Sequence, residues 1–162
     1  MSKKLQAKQL LTDVSDVFRC PVCLETLRPN EQFSLVCQNR HTYDLSKTGS
    51  LHLMLNYKTQ HKYTADLFEA RQALSRAGFF APLLEPAEAI GLSHLQKRTE
   101  APIRVLDAGC GEGSHLAQLV RAWSADGARR MFGVGIDLSK EAIRLASRSY
   151  PGLIWSVADV SN

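Results

Sequence analysis

No stretch of this 162-residue chain holds the roughly 18 consecutive apolar residues that suggest a membrane span. The basic start Met1-Ser2-Lys3-Lys4-Leu5-Gln6-Ala7-Lys8 has no apolar core behind it, so no signal peptide is read there. These two absences point to a soluble, cytoplasmic protein with no membrane partner. Internal repeats and low-complexity tracts are missing as well. With 44% hydrophobic and 22% charged residues, the composition excludes wholesale disorder. The length excludes a complete (β/α)₈ barrel of roughly 250 residues and leaves room for one ordinary domain or two small ones. Cysteine is scarce. Four residues make two disulfides in a secreted protein, but in a reducing compartment they read as metal ligands or packed thiols.

The charge excess is small, with 20 basic against 16 acidic side chains and a net +4. Residues 1–58 hold eight basic and five acidic groups, residues 59–101 five of each, and residues 102–162 seven and six. The excess therefore sits weakly at the N-terminal end. It permits contact with phosphate without demanding it, because nucleic-acid domains usually show a clustered basic stripe.

The hydrophobic pattern changes period three times. Residues 1–16 read as a polar arm or short helix, with Leu10, Val14 and Val17 at helical spacing. Residues 17–57 carry short apolar alternations such as Phe33-Ser34-Leu35-Val36-Cys37, and turn signals at Arg28-Pro29-Asn30 and Lys47-Thr48-Gly49. That predicts a ribbon of short strands with too few large apolar residues to hold itself together unaided. Residues 58–101 form a helical connector. Thr64 is the expected N-cap, Leu67, Ala70, Leu74 and Ala77 the apolar stripe, and Gly78 the stop. A second helix is expected after Pro86 with Ile90 and Leu95 inside. From residue 102 onward, strands at Ile103–Asp107, Met131–Asp137 and Leu153–Val157 alternate with helices, the second of them capped by Ser139. The fold class is α/β: a ribbon, a connector, then the N-terminal half of a doubly wound, Rossmann-like sheet.

Cys20-Pro21-Val22-Cys23 is a C-x₂-C knuckle, and Cys37 with His41 follows as C-x₃-H. Two close pairs about a dozen residues apart match a closed Cys₃His site for structural Zn²⁺. Each short pair lets two side chains of one turn face a single ion. The competing reading is packed thiols beside a surface histidine. His52, His61, His94 and His115 lack such partners and read as ordinary surface or packing residues.

Asp107-Ala108-Gly109-Cys110-Gly111-Glu112-Gly113 lies between a strand and a helix. Its glycines allow a sharp turn and close approach to a ligand. Asp137, at the tip of the next strand, is placed to accept hydrogen bonds from ribose hydroxyls. The spacing is G-x-G-x-G rather than the dinucleotide G-x-G-x-x-G, with an acid two residues ahead. An acid at Asp107 suits a cationic ligand such as S-adenosylmethionine, whose tail carries an ammonium and a sulfonium. A nicotinamide cofactor and a plain structural turn remain the alternatives. Asp159 has two readings, a partner for the adenine amino group or a solvated loop acid. Cys110 reads as a small packed residue of the turn.

These residues together resemble a known family. Phe18 to Cys23, then Cys37 through Leu53, look like the zinc domain of bacterial 23S ribosomal RNA guanine-N1 methyltransferases. Glu69-Ala70-Arg71, Ala77-Gly78-Phe79-Phe80 and Pro82-Leu83 resemble that family's connecting segment. Val105 to Gly113 and Gly135 to Lys140 match its cofactor motifs. The resemblance implies an enzyme that moves a methyl group from S-adenosylmethionine to N1 of a guanine in a 23S rRNA hairpin. It implies cofactor contacts at Asp107, Gly109, Gly111, Glu112, Gly113, Asp137, Leu138 and Asp159, and zinc at Cys20, Cys23, Cys37 and His41. Lys3, Lys4, Lys8, Arg19, Arg28, Arg40 and Lys47 are candidate phosphate contacts. N1 lies on the Watson–Crick edge, so the base must be unpaired or flipped out. No catalytic residue is assigned. The family's Gly-Asp pair before the Ala-Arg step is replaced here by Lys62-Tyr63-Thr64-Ala65-Asp66. Family members continue through further strands after the third, so this chain alone is expected to be inactive. Its third strand is expected to stand unpaired unless a homodimer or further chain covers it. A non-catalytic, zinc-dependent RNA-binding module and a methyltransferase for another substrate are the alternative functions.

Overall fold

A computed structural model describes residues 1–55, 63–96, 102–125, 127 and 130–160. The strand-and-helix alternation of the C-terminal part produces a parallel arrangement, because a right-handed helical crossover returns each strand in the same direction. Strands β5 (Ile103–Ala108), β6 (Met131–Asp137) and β7 (Ile154–Val157) are connected by helices α4 (Ser114–Trp123) and α5 (Lys140–Ser149). Pairing Asp107 with Gly135 and Gly135 with Trp155 brings the strand tips level. Helix α5 starts where the Ser139 hydroxyl accepts the Ala142 amide at 3.2 Å, with Glu141 favourably placed in the first turn. Leu116 and Val120 of α4, Ile143 and Ala146 of α5, and Trp155 of β7 form one buried core on this face.

The opposite face is covered by the N-terminal segment. Helix α1 (Lys3–Asp13) buries Ala7 and Leu11, and the Ser2 hydroxyl caps it by accepting the Leu5 amide at 3.2 Å. Strands β1 (Arg28–Pro29), β2 (Ser34–Val36) and β3 (Thr42–Asp44) make a small antiparallel ribbon. Leu11, Val14, Cys20, Leu27, Leu35 and Cys37 pack into the same core as Phe132, Val134 and Ile154 of the parallel sheet. The ribbon, too poor in large side chains to stand alone, thus borrows its interior from the sheet. Arg104 holds Asp16 at 2.8 Å and Arg130 pairs with Asp13, so two ion pairs tie the end of α1 to the starts of β5 and β6.

Three expectations differ from the structure. The third strand is not left unpaired, because strand β4 (Leu51–His52) joins β7 in parallel, Leu51 opposite Ser156 and His52 opposite Val157. The sheet order is therefore β4-β7-β6-β5. Helix α2 (Ala65–Arg76) buries Phe68, Gln72 and Ser75, whereas Leu67 and Leu74 are exposed. Its inner face is partly polar: Gln72 donates to the Ser149 hydroxyl at 3.1 Å, and Gln118 donates to the Ser75 hydroxyl at 2.8 Å. Helix α3 (Ala81–Gln96) begins five residues before Pro86 and carries that proline inside it. Proline lacks the N–H that would bond back one turn, yet Trp123 secures this helix to α4 by donating to the Glu88 carbonyl at 3.0 Å. Leu95 is buried as expected, but Ile90 is exposed. Among the described residues, no helix is long and apolar enough to cross a membrane.

Candidate functional site

The C-x₂-C knuckle and the C-x₃-H turn converge. The ligand atoms of Cys20, Cys23, Cys37 and His41 all lie within 4.8 Å of one another. Cys23 Sγ stands 3.7 Å from Cys37 Sγ, and His41 Nδ1 lies 3.5 Å from Cys20 Sγ and 3.4 Å from Cys37 Sγ. A tetrahedron with zinc–sulfur bonds of about 2.3 Å has edges of about 3.8 Å, slightly shorter where one vertex is nitrogen. These three edges have that length, so the donor set and the spacing both fit Zn²⁺ in a closed, structural site. Tight turns deliver the ligands. The Leu24 amide donates to the Cys20 carbonyl at 2.8 Å, and the Arg40 amide donates to the Cys37 carbonyl at 3.0 Å.

Tyr43 is a partner of this centre that the motif alone does not reveal. Its hydroxyl lies 3.3 Å from Cys20 Sγ. Burial pushes the phenol up, and the neighbouring thiolates add to this, so Tyr43 stays protonated and is the donor. Burial alone would raise the Cys20 thiol, but the Tyr43 hydroxyl and the Val22 and Cys23 amides outweigh it and bring it down to about 6. Cys37 is raised, chiefly by burial. Outer hydrogen bonds of this kind orient metal ligands and typically carry a factor of ten or more in affinity. Tyr43→Phe is therefore expected to weaken zinc retention roughly tenfold. Competition with a chromogenic chelator reads the change, and an unchanged metal affinity would remove Tyr43 from the centre.

The second cluster gathers at the carboxyl ends of β5 and β6. Gly109, Gly111 and Gly113 have φ of +84°, +55° and +84°, a left-handed backbone that favours glycine. A Cβ added at Gly109 or Gly111 would meet nothing within 4 Å, so bare backbone faces open space there. Asp137 holds the loop in this shape: its carboxylate accepts the Gly111 amide and the Ser139 amide, both at 2.8 Å. Each oxygen keeps a second lone pair for a ligand hydroxyl. Burial raises Asp107 above the ordinary carboxylate range, His115 opposes this, and Asp137 adds to it. Leu138 is exposed beside the loop. Cys110 is buried, which pushes its thiol up and leaves it a packing residue rather than a nucleophile. An open glycine cradle flanked by two acids fits a ligand of cationic character.

Two predicted positions sit differently from the rest. Glu112 is 1% exposed and turns inward, where its carboxylate accepts the Ser114 hydroxyl at 2.5 Å and the Ser114 amide at 3.2 Å. Asp159, half-buried after β7, lines a cavity of about 480 Å³ on the ribbon side of the sheet, with Arg19, Leu106 and Ile136 among its walls. Arg71, Phe80 and His115 complete the glycine-loop cluster and were not singled out as site residues. Arg71 of α2 lies 3.9 Å from Glu112, its guanidinium carbon is 5.7 Å from the Phe80 ring centre, and the His115 ring is 4.8 Å from the same ring. His115 Nε2 is buried without a hydrogen-bond partner, and burial together with Arg71 lowers the ring's pKa, against the opposing pull of Glu112 and Asp107. The connector segments Glu69-Ala70-Arg71 and Ala77-Gly78-Phe79-Phe80 hint at Arg71 and Phe80; nothing local in the sequence marks His115.

Known proteins resemble both clusters. The RlmA N-terminal zinc-ribbon family matches residues 18–63. A Bacillus subtilis protein named as a 23S rRNA (guanine-N(1)-)-methyltransferase, YxjB, is 42% identical over 147 residues, which covers 90% of this chain and 50% of that protein. The 23S rRNA (guanine(748)-N(1))-methyltransferase of Streptomyces fradiae is 35% identical over 88% of this chain and 48% of its own length. A solved structure of the plantazolicin methyltransferase BpumL with SAH is 24% identical, covering 60% of this chain and 36% of that one, with a TM-score of 0.42. The chain spans about half the length of the curated relatives it matches. Over nine-tenths of its own sequence, zinc ribbon included, the chain is thus similar to about half the length of proteins named as 23S rRNA guanine-N1 methyltransferases.

Proposed function

We propose that this chain is the zinc-bearing, cofactor-binding part of a cytoplasmic methyltransferase acting on N1 of a guanine in a 23S rRNA hairpin. The observation that carries this reading is the joint presence, in one chain similar to named guanine-N1 methyltransferases, of a Cys₃His quartet and an open glycine cradle flanked by acids. Cys20, Cys23, Cys37 and His41 would hold structural Zn²⁺. The division into an arm (1–16), a ribbon (17–57), a connector (58–101) and a partial cofactor domain (102–162) belongs to the same proposal.

S-adenosylmethionine, when bound, supplies an electrophilic methyl carbon on its sulfonium. The chain's residues then serve to bind and orient. Asp107 faces the cofactor's ammonium. The bare backbone of Gly109 and Gly111 admits close approach, while Gly113 makes room for Trp155 behind the turn. Asp137 accepts ribose hydroxyls, Leu138 offers apolar surface, and Asp159 accepts the adenine amino group. Glu112 acts from behind, by fixing the turn through Ser114. Methyl transfer of this kind depends largely on such positioning.

Asp107→Ala and Asp137→Ala test the reading. Each is expected to weaken binding of S-adenosylhomocysteine tenfold or more, measured by calorimetry. Unchanged affinity in both variants would overturn the cofactor assignment. A second reading is a non-catalytic RNA-binding module, favoured by the zinc-ribbon family match over residues 18–63. It predicts zinc-dependent binding of an rRNA hairpin that S-adenosylmethionine does not alter. Dimerisation is proposed through the outer edge of β5, which pairs on its other side with β6 and on which Leu106 is exposed. Sedimentation velocity reads the mass.

A further inference from the structure

The glycine-loop cluster has a charge pattern that the cofactor reading leaves half used. Asp107, Glu112 and Asp137 are three carboxylates around one turn. S-adenosylmethionine meets them with two cationic groups, yet it also carries a carboxylate, which those acids repel. Arg71 is the arginine that the structure brings to this cluster, from a different segment of the chain. Glu112 does not use it up. The ion pair is long at 3.9 Å, it engages Nε, and the other Glu112 oxygen is already taken by Ser114. A guanidinium has five N–H donors in a fixed fork, and the Arg71 side chain is 45% exposed. Phe80 beneath the guanidinium restricts where the fork can point.

We propose that Arg71 anchors the carboxylate of the cofactor's methionine moiety, opposite Asp107, which receives the ammonium. This rests on the cofactor reading above. The two groups hang on one carbon atom of the ligand, so their partners must be neighbours in the protein. Arg71 and Asp107 satisfy that condition through the turn itself, since Arg71 lies 3.9 Å from Glu112, five residues after Asp107 in the same glycine loop. His115, the other basic side chain here, is turned to the Phe80 ring, its centre 4.8 Å from it, and its buried Nε2 makes no hydrogen bond. Connector helix α2 therefore supplies a binding residue for the cofactor as well as a packing surface.

The competing role for Arg71 is a clasp between α2 and the turn at Glu112. A ligand lacking only the carboxylate separates the two. Calorimetry would compare S-adenosylhomocysteine with its decarboxylated analogue, using wild-type chain, Arg71→Met and Arg71→Lys. The wild type is expected to prefer the carboxylate-bearing ligand by about tenfold or more. Arg71→Met is expected to lose that preference while binding the analogue as the wild type does. Arg71→Lys is expected to keep part of it, and it reads the same quantity should Arg71→Met fold poorly. If Arg71→Met weakens both ligands equally, or neither, the anchor is overturned. If the wild type binds both ligands equally well, the anchor fails while the cofactor reading stands. A wild type that binds neither overturns the cofactor reading itself.

Discussion

Removing zinc from the reduced protein is expected to unfold far more than the ribbon. Cys20 and Cys37 are buried, and they pack in one core with Leu11, Leu35, Leu51, Phe132, Val134 and Ile154. Without the ion, three thiols and an imidazole face one another at about the edges of a tetrahedron, with no charge at the centre. Structural zinc in small ribbons contributes about 10 kcal/mol or more, as much as the whole stability of an ordinary domain. The β2–β3 ladder pins Leu35 over that core, so its loss exposes the sheet face that α1 and the ribbon cover. Chelation should therefore abolish the cooperative thermal transition, and added Zn²⁺ should restore it. Cys37→Ala should behave like the chelated protein, whereas Cys110→Ser, outside the quartet, should keep its metal. Hydrogen exchange checks the reach of the effect. Protection in β6 and β7 is expected to fall along with that in β2 and β3. Loss confined to residues 18–45 would show instead that the ribbon opens by itself.

The two clusters were legible because their chemistry is written in short spans. A C-x₂-C turn must face its own two ligands toward one point, and a strand–Gly-x-Gly-x-Gly–helix step must turn sharply, whatever the rest of the chain does. Asp107 and Asp137 followed from the same logic, as the acids at two adjacent strand tips. What escaped depends on contacts between distant segments. Strand β4 is only Leu51 and His52, too short for any period, and its place in the sheet is decided by Ser156 and Val157 more than a hundred residues later. In α2 the apolar stripe pointed outward, because Gln72 and Ser75 found hydroxyl and amide partners on α4 and α5 that outweighed the burial of Leu67 and Leu74. Arg71 escaped as a site residue for the same reason. An arginine on a helix is ordinarily solvated, and only docking of α2 against the turn at Glu112 gives it a role.

Gly113→Ala and Gly111→Ala, two residues apart, are expected to fail in opposite ways. Gly113 precedes α4 as its N-cap with φ +84°, and a Cβ there would strike the Trp155 ring and come within 3.0 Å of Ala146 Cβ. Trp155 cannot yield, since it is 1% exposed and its indole N–H donates to the Tyr150 carbonyl at 2.9 Å. A left-handed conformation costs a residue with a Cβ about 1–2 kcal/mol, and overpacking a filled core adds about 1–3 kcal/mol. Gly113→Ala should thus lose about 2–5 kcal/mol in urea unfolding, enough to leave a modest domain partly unfolded. At Gly111 the φ of +55° carries the conformational cost alone, because nothing lies within 4 Å of the added carbon. Its stability should fall by about 1–2 kcal/mol at most. The added methyl, however, stands in the space that the cradle keeps open, so binding of S-adenosylhomocysteine should weaken at least about tenfold. Unfolding and calorimetry on the same two variants read both effects. If Gly111→Ala binds as the wild type does, the open face of the turn is not where the cofactor lies, and the reading of Gly109 and Gly111 as its cradle fails with it.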